Sequence, residues 1–139
     1  MLLLSHDVMH EQRILVVSAT PDTASWISET LEATGDRIDV VTDGRDAFQR
    51  VWDANYDIIV AELGGPGVDG RDLYMAFQNT WPELTRRMVF VCAEANPTVE
   101  AFALRAAVPV LRAPVSPDDL RETVRNVSGF RRSRALLAK

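Results

Sequence analysis

A chain of 139 residues makes one domain of ordinary size, since domains most often run to about 100–150 residues, and it leaves no room for a second. With 47% hydrophobic and 25% charged residues and a mean hydropathy of -0.05, the composition is that of a globular protein, which excludes intrinsic disorder and collagen-like repeats. The net charge of -5 argues against a general grip on nucleic acid, which needs a basic face. The single cysteine, Cys92, excludes an internal disulfide or a thiolate metal cage, and it points to a reducing compartment, the cytoplasm.

In chain order, Met1–Leu4 is apolar but is followed at once by Ser5, His6, Asp7 and His10. It is too short for a signal sequence or a membrane span, so residues 1–11 read as a flexible leader. His6 and His10 have the i,i+4 spacing of a helical metal pair, but no third ligand lies near them. Ile14–Val17 is a short unbroken apolar run, as in a strand covered on both faces. Thr20 then offers an N-cap with Pro21 at N1 and Asp22 in the first turn, and Trp26, Ile27 and Leu31 line one helical face up to Gly35. Ile38–Val41 predicts a second strand, and Asp43 and Gly44 open a helix through Phe48 and Val51. Asp57–Ala61 predicts a third strand, feeding the loop Gly64, Gly65, Pro66, Gly67 and a helix from Gly70 to Thr80 that Pro82 ends. Met88–Cys92 predicts a fourth strand, Pro97–Ala106 a helix burying Val99, Phe102 and Ala103, and Val108–Leu111 a fifth strand. Ser116, Pro117, Asp118 and Asp119 start a last helix carrying Leu120, Val124 and Val127, after which residues 128–139 read as a basic tail.

Five strands alternating with five helices predict an α/β fold, a doubly wound sheet of five parallel strands between two helical layers. Such sheets work at the carboxyl ends of their strands. That edge offers Ser18 and Ala19, Glu62, Cys92 and Ala93, and Arg112 and Ala113. A P-loop is excluded because Val68, Asp69, Gly70 and Arg71 stand where a lysine and a hydroxyl would follow the glycines. A dinucleotide fingerprint fails because Ser18, Ala19, Thr20 and Pro21 contain no glycine. A hydrolase fails because neither histidine reaches that edge, so Cys92 has no base. Magnesium expects several carboxylates and finds Glu62 with a neutral Ser18, so weak binding at best is expected.

Three segments carry a resemblance. They are Arg13–Val17, Tyr56–Leu63 with Pro66–Gly70, and Ala113–Leu120. Over about Gln12–Val127 the chain resembles response-regulator receiver domains, CheY-like proteins of flavodoxin-like fold, and it is similar to receivers attached to hybrid sensor histidine kinases. In such a receiver an aspartate ending the third strand takes a phosphoryl group from a histidine kinase. An acidic pair after the first strand holds Mg2+, a Thr or Ser after the fourth and a Lys after the fifth contact the phosphoryl group, and an aromatic on the fifth strand reports it. Here the acidic pair falls on Ser18 and Ala19, the acceptor on Glu62, the hydroxyl on Cys92, the aromatic on Val110 and the lysine on Ala113. Pro66, Asp69, Gly70 and Pro114 hold the register around these changes.

The resemblance therefore implies a non-catalytic pseudo-receiver, with no metal and no cofactor. Two readings of Glu62 stand side by side: a carboxylate mimicking a phosphoryl oxygen, or a half-exposed strand-end carboxylate bonded to loop N–H groups or Ser18. Arg112 does not replace the lysine, because successive strand side chains point to opposite faces. The resemblance also implies a cis peptide before Pro114. What remains is an interaction module for a protein partner (a histidine kinase, a regulator or a second copy), with no nucleic acid and no membrane involved. The face where receivers commonly pair would offer Glu100, Leu104, Arg105, Val110, Arg112, Asp118, Asp119, Arg121, Glu122 and Arg125, mixed charge suited to a homodimer. Two alternatives stay open: an atypical phosphoacceptor using Asp22, Asp69 or Glu94, and a small-ligand sensor in the vacated pocket near Ser18, Glu62 and Cys92.

Overall fold

The apolar runs are strands of one parallel sheet, and their burial follows their place in it. The computed structural model describes residues 12–64, 69–93 and 97–137, with side chains described as far as Ser128. The expected leader, His6, His10, Glu94 and most of the glycine loop lie outside the described residues. The elements are β1 (Arg13–Val17), α1 (Pro21–Glu32), β2 (Arg37–Val41), α2 (Gly44–Asp53), β3 (Ile58–Glu62), α3 (Gly70–Thr80), a 3-10 helix (Pro82–Arg87), β4 (Met88–Cys92), α4 (Pro97–Ala106), β5 (Val110–Arg112) and α5 (Pro117–Leu137). The strand order is β2-β1-β3-β4-β5, all parallel, which is the flavodoxin-like arrangement. The chain reverses direction across the sheet between β1 and β3.

The central strands β3 and β4 are buried at every residue, whereas the edge strands β2 and β5 are half-covered and polar in part. Alternation along each strand feeds two separate cores. On one face Ile14, Val16, Ile58, Val60, Val89 and Val91 meet Ile27 and Leu31 of α1 and Leu120, Val124 and Val127 of α5. On the other, Leu15, Val17, Ile59, Ala61, Phe90 and Cys92 meet Ala47 of α2, Leu73 and Phe77 of α3, and Val99 and Ala103 of α4. Phe48, Phe77 and Trp81 stack beneath that second core, with Phe48 and Trp81 ring centroids 4.8 Å apart.

Local chemistry sets the element ends. Asp43 accepts from Asp46 N–H at 2.8 Å and Ser116 accepts from Asp119 N–H at 3.0 Å, capping α2 and α5. After α1 the chain turns through Gly35 at φ 90°, a conformation that glycine adopts without a Cβ clash. β5 starts at Val110 rather than Val108, because Pro109 has no N–H for the ladder and only its carbonyl joins, accepting from Phe90 N–H. The residues after Pro82 form a 3-10 helix that the proline signal alone did not reveal. α5 continues unbroken past Val127 to Leu137, so no change of secondary structure marks a tail at 128.

Gly70 decides how the loop after β3 closes. A Cβ there would lie 3.0 Å from the Glu62 carbonyl oxygen and 3.1 Å from the Phe90 ring, so α3 starts in backbone contact with the end of β3. Gly70→Ala is expected to cost about 1–3 kcal/mol, the usual penalty for overpacking a rigid site. Urea unfolding measures it, and an unchanged midpoint would show that the loop shifts freely.

Candidate functional site

The carboxyl ends of β1, β3, β4 and β5 converge beside the start of α1. Glu62 closes β3 there and is 4% exposed, so it is a buried group and not the half-exposed one expected at a strand end. A carboxylate buried this deeply must have hydrogen-bond donors. Ser18 Oγ donates to one carboxylate oxygen at 2.8 Å and Thr20 Oγ1 donates to the other at 3.2 Å. Ser18 Oγ accepts in turn from Thr20 N–H at 3.2 Å, and it also lies 3.2 Å from the Thr20 carbonyl oxygen, a longer alternative for its proton than the contact with Glu62. The loop between β1 and α1 is thereby tied to β3.

Thr20 corrects the sequence reading. It occupies the N-cap of α1, but its side chain makes no capping bond, because the buried carboxylate outcompetes a solvent-reachable helix N–H for the hydroxyl. Ser18, in contrast, is the partner expected.

A cavity of about 250 Å3 opens beside Glu62, lined by Asp22, Thr23 and Trp26 of α1 with Val91, Ala93, Ala113 and Val115. Cys92 is not among the lining residues, against expectation. Val91 stands in register with Glu62, so alternation sends Cys92 into the opposite core, where it is 2% exposed. Ala19 and Val110 likewise pack against that opposite core. Ala113 does line the cavity, and the Ala113–Pro114 peptide is cis, as the resemblance implied.

Among the described residues no ammonium group is at hand. The chain's only lysine is Lys139, a signal present in the sequence and overlooked until the site was assembled. Arg112, next to Ala113, turns away and forms a two-point ion pair with Glu100 of α4, with Nε 2.6 Å from Oε2. That pair holds the Glu100 carboxyl below its ordinary range and the guanidinium above its own.

The residues do not fit a magnesium ion either. Ser18 and Ala19 supply no carboxylate, Glu62 already accepts from two hydroxyls, and among the described residues no group of three His, Cys, Asp or Glu side chains gathers. Of the alternative acceptors, Asp69 caps α3 through Arg71 N–H at 2.9 Å and is clamped by the Arg71 guanidinium at 2.8 Å. Asp22 is exposed at the cavity rim, and Glu94 lies outside the described residues.

The expected pairing face divides. Glu100, Leu104, Val110 and Arg112 border a groove of about 540 Å3 between α4 and β5. Leu104 is 83% exposed there. Arg105, Asp119 and Glu122 are exposed as well. Arg121 and Arg125 instead line a groove with Leu31, Thr34 and Asp36 at the end of α1, because they sit one step round α5 from the buried Leu120 and Val124. Asp118 is bonded to Arg121 at 3.0 Å, so its charge is engaged on that side.

Residues 14–125 match the family described as response regulator receiver domain. The chain belongs to that family, the receivers of two-component signalling. It is 38% identical over 58 residues to the transcriptional regulatory protein TcrA of Mycobacterium tuberculosis, a stretch covering 42% of this chain and 23% of TcrA. It is 25% identical over 88 residues to HprR of Escherichia coli, covering 63% of this chain and 37% of HprR. The receiver thus spans well under half the length of the curated relatives it matches. Among solved structures, a CheY-like receiver domain from Methanospirillum hungatei superimposes with a TM-score of 0.79 at 18% identity, covering 89% of this chain and 98% of that one. The receiver domain of an HD domain-containing protein from Pseudomonas fluorescens gives 0.80 at 16% identity, covering 90% and 92%. These structures carry the fold. No helix among the described residues is long and apolar enough to cross a membrane.

Two predictions follow from the polar contacts. Ser18→Ala leaves a buried carboxylate oxygen without its donor and is expected to cost about 1–3 kcal/mol by chemical unfolding, while Thr20→Ser, which keeps a hydroxyl, stays near wild type. The Arg71 side chain, through its hydrogen bonds to Asp69, holds that carboxyl below its ordinary 3.8. A depressed carboxyl adds stability that is present above 3.8 and lost as the pH falls through its lower folded value. Asp69→Asn, which keeps the cap and loses the charge, should therefore be less stable at neutral pH by about 0.2–1 kcal/mol, with the gap closing only below that range. A gap independent of pH would show that the pair contributes nothing.

Proposed function

We propose that this receiver is a non-catalytic, phosphorylation-independent interaction module of a cytoplasmic signalling pathway, working without Mg2+ or any cofactor. One observation carries the reading. The carboxyl at the acceptor position is Glu62, buried and engaged at both oxygens by Ser18 and Thr20, with no ion-pair partner among the described residues. Phosphoryl transfer needs metal and cation charge around the transferred group and a carboxylate free to attack in line. Glu62 has neither the neutralising charges nor the freedom. The phosphoryl-mimic reading of Glu62 loses support for the same reason, since its oxygens point to structural hydroxyls and Val110 lies against the other core.

The surface that would carry the function is the α4–β5 groove, where Leu104 and Pro109 give apolar contact and Glu100 and Arg112 give mixed charge. The partner is a protein of the pathway: a histidine kinase, a regulator or a second copy. Sedimentation of wild type against Leu104→Glu checks the second copy. A self-association lost in the variant assigns it to this face, and equal sedimentation removes this face as a homodimer contact.

A specific observation favours a second reading beside the first, a small-ligand site. It is the cavity against Glu62.

The deciding measurement is intact mass after incubation with acetyl phosphate, with and without Mg2+, run beside an ordinary receiver. The expected result is no added phosphoryl group while the control is labelled. A metal-dependent gain of one phosphoryl group overturns the proposal.

A further inference from the structure

Glu62 is a buried carboxyl group with no ion-pair partner among the described residues. Its two hydrogen-bond donors are neutral hydroxyls, and among the described residues no arginine is ion-paired with it. The nearest cation along the chain from the cavity wall, Arg112, is held by Glu100. A buried carboxylate of this kind is stabilised by any cation that reaches it.

The cavity specifies which cation. Asp22 at its rim adds a second negative group and disfavours anions. Beyond Glu62, Asp22 and Thr23 the lining is apolar: Trp26, Val91, Ala93, Ala113 and Val115. A hard inorganic ion keeps several of its waters and gains nothing from that apolar lining. An alkyl chain, in contrast, gains from every methylene it buries there, and an indole face attracts an ammonium group. The volume of about 250 Å3 exceeds the roughly 150 Å3 that accommodates benzene in an engineered apolar cavity, so a short alkyl body fits.

We infer that the cavity binds a small organic monocation, a primary alkylammonium of about four to six carbons, with its charge on Glu62 and its alkyl body against Trp26, Val91 and Val115. The inference rests on the small-ligand reading and names the ligand class for it. It is independent of whether the site accepts phosphate.

The test is calorimetric titration of the full chain with butylammonium, with butanol and butyrate as neutral and anionic counterparts of the same length. Butylammonium is expected to bind at least about tenfold more tightly than butanol, since a charge-assisted hydrogen bond outweighs a neutral one. Butyrate is expected not to bind. Pentylammonium should gain about fourfold over butylammonium for its added methylene. Glu62→Gln, which keeps the shape and partners for Ser18 and Thr20, should remove the preference for the amine over the alcohol. Ala113→Lys, at an exposed position that tolerates a long side chain, should place an ammonium in the cavity and abolish amine binding while the fold stays intact by circular dichroism. Equal affinities for amine and alcohol would overturn the cationic class while leaving a small-ligand site. No heat with any of the three would overturn both. Amine binding that survives in Glu62→Gln and Ala113→Lys alike would place the amine elsewhere and overturn the assignment.

Discussion

The hydrogen bond from the Ser18 hydroxyl to the Glu62 carboxylate, 2.8 Å across the ends of β1 and β3, is the contact on which the carboxyl edge depends. A carboxyl group that is 4% exposed has lost nearly all its water, and each missing hydrogen-bond partner would cost more than an ordinary hydrogen bond returns. Satisfying Glu62 therefore takes precedence over other uses of the nearby hydroxyls. Thr20 stays at the N-cap of α1 but turns its hydroxyl to the carboxylate, and Ser18 Oγ, which accepts from Thr20 N–H, makes its shortest contact with Glu62. The result is a strand end, a loop and a helix start joined through one side chain.

The same arrangement sets what the edge can do. A phosphoryl acceptor must be free to move onto phosphorus, and its surroundings must supply positive charge at the moment of transfer. Glu62 is held at both oxygens, and the chain's single lysine is Lys139. Gly70 adds a further constraint by packing α3 against the Glu62 carbonyl, so that the backbone beneath the carboxylate is as fixed as the side chain. Around that edge the receiver scaffold provides the parallel sheet, the cavity beside Glu62 and the groove on α4 and β5.

The fold was legible because its signals are local and redundant. Unbroken runs such as Ile14–Val17 and Met88–Cys92 have nowhere to go but the middle of a covered sheet, and Gly35, Pro82 and Ser116 mark the ends of helices by steric or hydrogen-bonding rules that operate within a few residues. The site was legible only as a set of strand ends. Which side of the sheet each residue faces depends on register between strands distant in sequence, so Cys92 was placed in the cavity that Val91 in fact lines. Thr20 stands at the N-cap as read, but its side-chain partner was not legible, because a helix cap is visible in sequence and a buried carboxylate 42 residues away is not. Arg121 and Arg125 were grouped with Arg112 because the pairing face common to receivers takes in the fourth helix, the fifth strand and the fifth helix. The rotation of α5 that turns them toward Asp36 follows only from which of its residues are buried.

The position of β5 ties the inner cavity to the outer groove. Within four residues Val110 borders the groove, Leu111 packs under α1 and α5, Arg112 pairs with Glu100 of α4, and Ala113 lines the cavity. A strand this short, at the edge of the sheet and bonded on one side only, has few contacts holding it in place. The ion pair that links it to α4 is exposed to solvent, where such pairs are individually weak and can re-form after a small shift. Glu62, by contrast, sits on a central strand paired on both sides. Pressure on the cavity from inside therefore meets a rigid wall at β3 and a compliant one at β5, and the compliant wall is the one whose far side carries the exposed Leu104 surface.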